Sequence, residues 1–129
     1  MKFKDKVVLI TGSSRGVGRA TALEFAKEGA TIVVNYTNSE DKANSLVNEI
    51  EGLGSKAIAI KCDVSQEDQV KSMIEEIMSK FGKLDILVNN AAIVFDVPLF
   101  EKTVEEWQKT MAVNLIGSFL CAKYSSKYL

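Results

Sequence analysis

The stretch Val7-Val8-Leu9-Ile10-Thr11-Gly12-Ser13-Ser14-Arg15-Gly16-Val17-Gly18 decides how the rest of the chain is read. Its first four residues are a continuous apolar run, which reads as a buried strand. An amphipathic stretch from Val17 to Lys27 follows and reads as a helix. A glycine-rich turn joins them. Strand, glycine turn, helix is an arrangement that receives a pyrophosphate. The glycines let the backbone approach a ligand closely, and the helix N-terminus offers free N–H groups and the positive end of its dipole. A turn that is merely tight would use the same glycines. The spacing is not G-x-G-x-x-G, so the common dinucleotide fingerprint is not matched.

Outward from this turn, Glu28-Gly29-Ala30 reads as a helix stop, with Gly29 in the left-handed conformation. Thr31-Ile32-Val33-Val34 is a second strand, β-branched throughout. Asn38 or Ser39 caps a second helix whose stripe is Ala43, Leu46, Val47, Ile50 and Leu53, ended by Gly52 and Gly54. Ala57-Ile58-Ala59-Ile60 is strand three. Ser65-Gln66-Glu67-Asp68 has the form of a capping box for a helix with the stripe Val70, Met73, Ile74, Ile77, Met78 and Phe81, closed by Gly82. Leu84 to Val88 is strand four. A loop from Ala91 to Lys102 holds the only proline, Pro98. Thr103-Val104-Glu105-Glu106 is a second capping box, and one helix is predicted from Val104 toward the terminus. Strands alternating with helices, the strands as continuous apolar runs, imply an α/β fold with a parallel sheet covered on both faces.

The 129 residues fit one domain, with a net charge of −1 and charges spread along the chain. That pattern gives no nucleic-acid signal, and no apolar run is long enough to span a bilayer. The start is basic, but only four strongly apolar residues precede Thr11, too few for a secretory core. Cys62 and Cys121 lie far apart without metal spacing and read as buried free thiols in a reducing, cytoplasmic setting. There is no histidine, which removes imidazole bases, serine-type triads and most zinc sites.

Taken together, Thr11-Gly12…Gly16-Val17-Gly18, Asn89-Asn90-Ala91 and Asn114 resemble the short-chain dehydrogenase/reductase family. The runs Asn35-Tyr36-Thr37-Asn38-Ser39-Glu40 and Leu84 to Asn90 look most like its 3-oxoacyl-acyl-carrier-protein reductase and glucose dehydrogenase branch. The resemblance covers the whole chain but only about the first half of such an enzyme. It implies a Rossmann-type doubly wound sheet of order 3-2-1-4, stopping after the fourth strand and its helix, with a dinucleotide beyond the carboxyl ends of the strands.

The resemblance assigns the nucleotide to Gly12, Ser14, Arg15, Gly16, Val17 and Gly18 of the turn, with Asn35-Tyr36, Asp63-Val64 and Asn90-Ala91-Ala92 from three other loops. An NAD-selective site places an acid about twenty residues past the turn. Here Asn35 and Tyr36 stand there, neither of them charged, and Arg15 can fork onto a 2′-phosphate unless it is a solvated loop residue. The expected cofactor is therefore NADP(H) rather than NAD(H). Asp63 accepts from the adenine amine in the family, or else only starts the next helix through its dipole. In the family the first asparagine of N-N-A steadies the sheet and the second lies against the adenosine ribose. The usual glycine after N-N-A is Ala92 here. Asn114 holds a water of a proton relay in the family; the alternative is a solvent-facing asparagine.

The family reaction moves a hydride between nicotinamide and a carbonyl or alcohol, with a proton from a tyrosine whose pKa a nearby lysine lowers. That Y-x-x-x-K pair follows a fifth strand in the family. Tyr124-Ser125-Ser126-Lys127 is not it: Tyr124 lies ten residues past Asn114 on one predicted helix, roughly 15 Å along the axis. It reads as the solvated helix end. The expectation is the cofactor-binding portion of a reductase, inactive alone and prone to form homo-oligomers. The alternative is a dinucleotide-binding or interaction module without catalysis.

Overall fold

The computed structural model describes residues 1–129. The elements are β1 (Val7–Ile10), α1 (Gly16–Lys27), β2 (Thr31–Tyr36), α2 (Glu40–Gly52), β3 (Ala57–Lys61), α3 (Glu67–Phe81), β4 (Ile86–Val88), α4 (Val104–Met111) and α5 (Gly117–Ser125). All strand pairs are parallel and their order is β3-β2-β1-β4. This is the parallel sheet that the apolar runs predict, in the doubly wound order that the family resemblance implies.

Side-chain alternation splits the core in two. Val7, Leu9 and Val33 point to one face, where α3 supplies Val70, Met73, Ile74 and Ile77 and α5 supplies Leu120 and Cys121. Val8, Ile10, Ile32 and Val34 point to the other, against Ala22 and Ala26 of α1 and Ala43, Leu46 and Ile50 of α2. Each fully buried Leu, Ile or Val contributes about 1.5–3 kcal/mol, so both faces must be covered for the sheet to persist. No helix is long and apolar enough to cross a membrane.

Three local expectations change. Strand four is shorter than Leu84 to Val88 because the Asp85 side chain replaces part of its ladder. The Val7 N–H donates to Asp85 Oδ2 (2.8 Å) while the Asp85 N–H donates to Val7 O (3.0 Å). Burial, the largest single influence, pushes the Asp85 carboxyl up, but the Val7 N–H and the Lys83 and Lys6 charges together hold it below its ordinary value. The capping box at Ser65 does not form. Asp63 Oδ1 takes both the Ser65 N–H (3.0 Å) and hydroxyl (2.7 Å) in an Asx turn, which leaves Gln66 at the cap position. The box at Thr103 and Glu106 does form, with reciprocal bonds of 3.0 and 3.1 Å. Finally, the last helix is not uniform. A π turn at Ala112–Ile116 joins α4 to α5, with Asn114 at its centre.

Candidate functional site

The carboxyl ends of all four strands open onto one cleft of about 660 Å³. Its walls are Gly12, Ser14, Arg15 and Gly16 from the turn after β1, Tyr36 to Ser39 after β2, and Asp63 and Val64 after β3. Asn90 to Ile93 after β4 and Lys109 and Val113 of the last helix complete it. The two cysteines are buried and free, and burial pushes their thiols up to about 12 for Cys62 and about 11 for Cys121. Both are neutral at pH 7 and take no part in the cleft.

The glycine turn is shaped by what cannot fit beside it. Gly12 has φ +60, and a Cβ there would lie 2.8 Å from Ala91 Cα. A Cβ on Gly18 would lie 2.5 Å from Asn90 Nδ2 and 2.8 Å from Gly12 O. Gly16 also has a left-handed φ, +61, but faces open space, so a ligand can come against its backbone. Arg15 is exposed beside it and makes no ion pair or side-chain hydrogen bond.

Two asparagines hold the turn from either side. The Gly12 N–H donates to Asn35 Oδ1 (2.9 Å), and Asn35 Nδ2 donates to Cys62 O (3.0 Å) and Ile60 O (3.4 Å). The Asn35 N–H donates to Ser13 Oγ (3.1 Å), and the Ser13 N–H donates to Asn35 O (3.0 Å). Asn35 thus joins the ends of β1, β2 and β3. On the other side Asn90 Nδ2 donates to Thr11 O and Gly12 O, both at 3.1 Å. Thr11 Oγ1 accepts the N–H groups of Asn90 (3.0 Å) and Ala91 (2.9 Å).

These positions correct several expectations. Asn35 is 1% exposed and does not line the cleft, so it cannot meet a ribose phosphate; Tyr36 is the first residue of β2 that does. In N-N-A the first asparagine departs from its expected place and the second has an added structural bond. Asn89 Nδ2 donates to Ser118 O of α5 (3.3 Å), while Asn90 both lines the cleft and fastens the strand-one turn. Val17 is 75% exposed and outside the cleft, and Gly18 acts through close packing. Asn114 does disturb its helix, but both ends of its amide are spent on one residue. Its Oδ1 accepts from the Ile93 N–H (2.8 Å) and its Nδ2 donates to Ile93 O (2.9 Å). It fastens the loop after β4 to the last helix.

Gly12, Ser14, Arg15, Gly16, Tyr36, Asp63, Val64, Asn90, Ala91 and Ala92 all line the cleft. Thr37, Asn38, Ser39, Ile93, Lys109 and Val113 were not foreseen. The four-residue spacing of Lys109 and Val113 puts them on one helical face, a signal the sequence does contain. Tyr124 is not simply solvated. Its hydroxyl donates to Glu67 Oε2 (2.6 Å), beside Lys123 (3.3 Å), tying α5 to α3. That bond raises the Tyr124 pKa, the opposite of what a proton donor to substrate needs.

A parallel sheet of this order, with a glycine turn opening onto a cleft built from four strand ends, defines a Rossmann-type dinucleotide fold. The short chain dehydrogenase family profile matches residues 6–129, and the chain belongs to that family. It is 45% identical over 117 residues to the 3-oxoacyl-[acyl-carrier-protein] reductase FabG of Staphylococcus epidermidis, covering 91% of this chain and 48% of that protein. It is 44% identical over 124 residues to the 3-oxoacyl-[acyl-carrier-protein] reductase of Synechocystis, covering 96% and 50%. Among solved structures, a short chain dehydrogenase from Burkholderia cenocepacia in complex with NADP superposes with a TM-score of 0.96 at 34% identity, over 100% of this chain and 53% of that one. The chain spans about half the length of the curated relatives it matches.

Proposed function

We propose that residues 1–129 form one dinucleotide-binding domain, the NADP(H)-binding portion of a cytoplasmic short-chain oxidoreductase that interconverts ketones and alcohols, with 3-oxoacyl thioesters as its substrate class. The observation that carries this is the juxtaposition of Gly16, left-handed and open to the cleft, with the unpaired Arg15. The residues present suit the group. The turn and the N-terminus of α1 would hold the pyrophosphate, Asp63 and Val64 the adenine, and Arg15 a 2′-phosphate. The cofactor, when bound, supplies the hydride. Relatives named as 3-oxoacyl-[acyl-carrier-protein] reductases support the substrate class. One observation favours the alternative of a binding module without catalysis: Asn114 has structural work to do at Ile93, so its presence alone does not imply a proton relay.

The unmodified chain should bind NADPH more tightly than NADH. Losing a charge-assisted contact costs about 1.5–3 kcal/mol, so Arg15→Ala should weaken NADPH by about tenfold or more and leave NADH nearly unchanged. Fluorescence titration with both nucleotides decides it; equal affinities in the unmodified protein count against the reading.

We further propose that the chain forms homo-oligomers through its last helices. Trp107, Leu115 and Phe119 are 56%, 59% and 60% exposed, and β4 is an edge of the sheet. A monomer should be the minority species at micromolar concentration. Light scattering over a dilution series that finds only the 14.2 kDa monomer would refute this.

A further inference from the structure

The wall after β3 offers the cleft one donor and one acceptor that nothing in the chain takes up. Val64 is 4% exposed, yet its N–H has no hydrogen-bond partner. A buried N–H left unpaired is costly and rare, so on a cleft wall it points to a ligand. Beside it, Asp63 Oδ1 is filled by the Ser65 N–H (3.0 Å) and hydroxyl (2.7 Å), while Oδ2 has no partner. Three neighbours set this pair in place. Ser65 fixes the rotation of the carboxylate through Oδ1. Gln69, in the first turn of α3, reaches back so that its Oε1 accepts the Asp63 N–H (2.8 Å). Behind Val64 stands Gly117 of α5, where a Cβ would lie 2.7 Å from Val64 Cγ2 and 3.3 Å from Val64 O. A free donor beside a free acceptor matches a base edge on which an amine adjoins a bare ring nitrogen. A base with a carbonyl beside a ring N–H opposes the wall at both atoms.

We propose that Ser65 and Gln69 are positioning residues that make the cleft selective for an amine-bearing base over its deaminated, carbonyl-bearing form. This rests on the dinucleotide reading above. Neither residue lines the cleft, so both act through Asp63 and Val64. Without the Ser65 hydroxyl, Oδ1 loses its shorter bond and the carboxylate is free to rotate. Without the Gln69 acceptor, the Asp63 N–H becomes a second open donor one residue from the first. In either case the wall no longer presents a single donor and a single acceptor in fixed order. It then serves both base edges, so discrimination falls further than affinity does.

The test is fluorescence titration of the full chain with NADPH and with its deaminated form, reduced nicotinamide hypoxanthine dinucleotide phosphate. The unmodified chain should prefer NADPH by about thirtyfold or more, the scale of a bond to a charged acceptor. Ser65→Ala and Gln69→Ala should each cut that ratio by about threefold, the scale of one partly exposed hydrogen bond. Ser65→Thr keeps the hydroxyl and Gln69→Glu keeps the acceptor, so both should hold the ratio within about twofold. The ratio is read within one variant, so a general loss of stability cancels from it. If an alanine variant weakens both nucleotides alike and leaves the ratio unchanged, that residue is only structural and its positioning role is overturned. If the unmodified chain binds the two nucleotides alike, base selectivity is overturned while the dinucleotide reading stands. If it binds neither, both fall.

Discussion

Gly18→Val should weaken NADPH binding by about two orders of magnitude while the chain still folds. The reason is the crowding under the turn. Even a first carbon at this position would lie 2.5 Å from Asn90 Nδ2, 2.8 Å from Gly12 O and 3.0 Å from Ser13 Cα. Two of these neighbours are backbone, so the asparagine must yield. Its amide then leaves Thr11 O and Gly12 O without their donor, and each lost partner costs about 1–3 kcal/mol. The turn that would receive the pyrophosphate moves with them. Gly52→Ala is the matched control. A carbon at Gly52 meets nothing within 4 Å, the residue is helical, and alanine there should stabilise slightly, by up to about 1 kcal/mol, with binding unchanged. Fluorescence titration alongside urea unfolding separates the two effects. A valine variant that binds within about threefold of the unmodified chain would show that the turn tolerates the shift.

Asn35→Leu should lower stability by about 3 kcal/mol or more, or roughly 10 °C in Tm for a chain of this size. The substitution keeps a similar shape but takes the acceptor from the half-buried Gly12 N–H and the amide donor from Cys62 O and Ile60 O, leaving Cys62 O only the longer bond from the Thr37 hydroxyl (3.4 Å). Asn35→Asp is the sharper probe, because an ionised carboxylate still accepts from Gly12 N–H but can donate nothing to Cys62 O. Burial and the facing carbonyl would raise the folded-state pKa of the new carboxyl above its unfolded value near 3.9. The unfolded chain then loses its proton first as pH rises. Stability of that variant should therefore be highest below about pH 4 and fall as pH rises through the folded pKa. Urea midpoints for both variants from pH 4 to 8 check this, and a midpoint for the aspartate variant that does not change with pH would contradict the assigned bonds.

The strands and helices were legible because each apolar run or stripe had one consistent period and a turn residue at its end. The failures cluster where adjacent residues at a strand end point to opposite sides. Asn35 and Tyr36 were both assigned to the nucleotide, yet alternation forbids it. Asn35 shares its phase with Val33, and Tyr36 with Ile32 and Val34. That signal was present in the sequence. The departure of Asn89 toward α5 is the same problem without a remedy, since β4 ends at Val88 and the phase is lost beyond it. At Ser65 a capping pattern was correct in form but lost its hydroxyl to Asp63, a competitor two residues upstream. The close approaches at Gly12 and Gly18 depend on what stands opposite, which local sequence does not contain.

The wide turn at Ala112–Ile116 has a consequence for how this helix can change over generations. A π turn holds one residue more than an α turn, so it offsets everything downstream by about 100°. Gly117 then meets the Val64 side chain, where a Cβ would lie 2.7 Å from Cγ2, and Leu120 and Cys121 turn inward. Deleting any one residue from the turn would restore a regular helix and swing all three away from their present neighbours, Gly117 from the loop after β3, whichever residue was removed. Exchanging the exposed Leu115 or Ile116 disturbs the packing far less, whereas Asn114 carries the two bonds to Ile93. Asn114 apart, the length of this segment should therefore be more constrained than its residue identities, with variation entering by substitution rather than by single-codon loss.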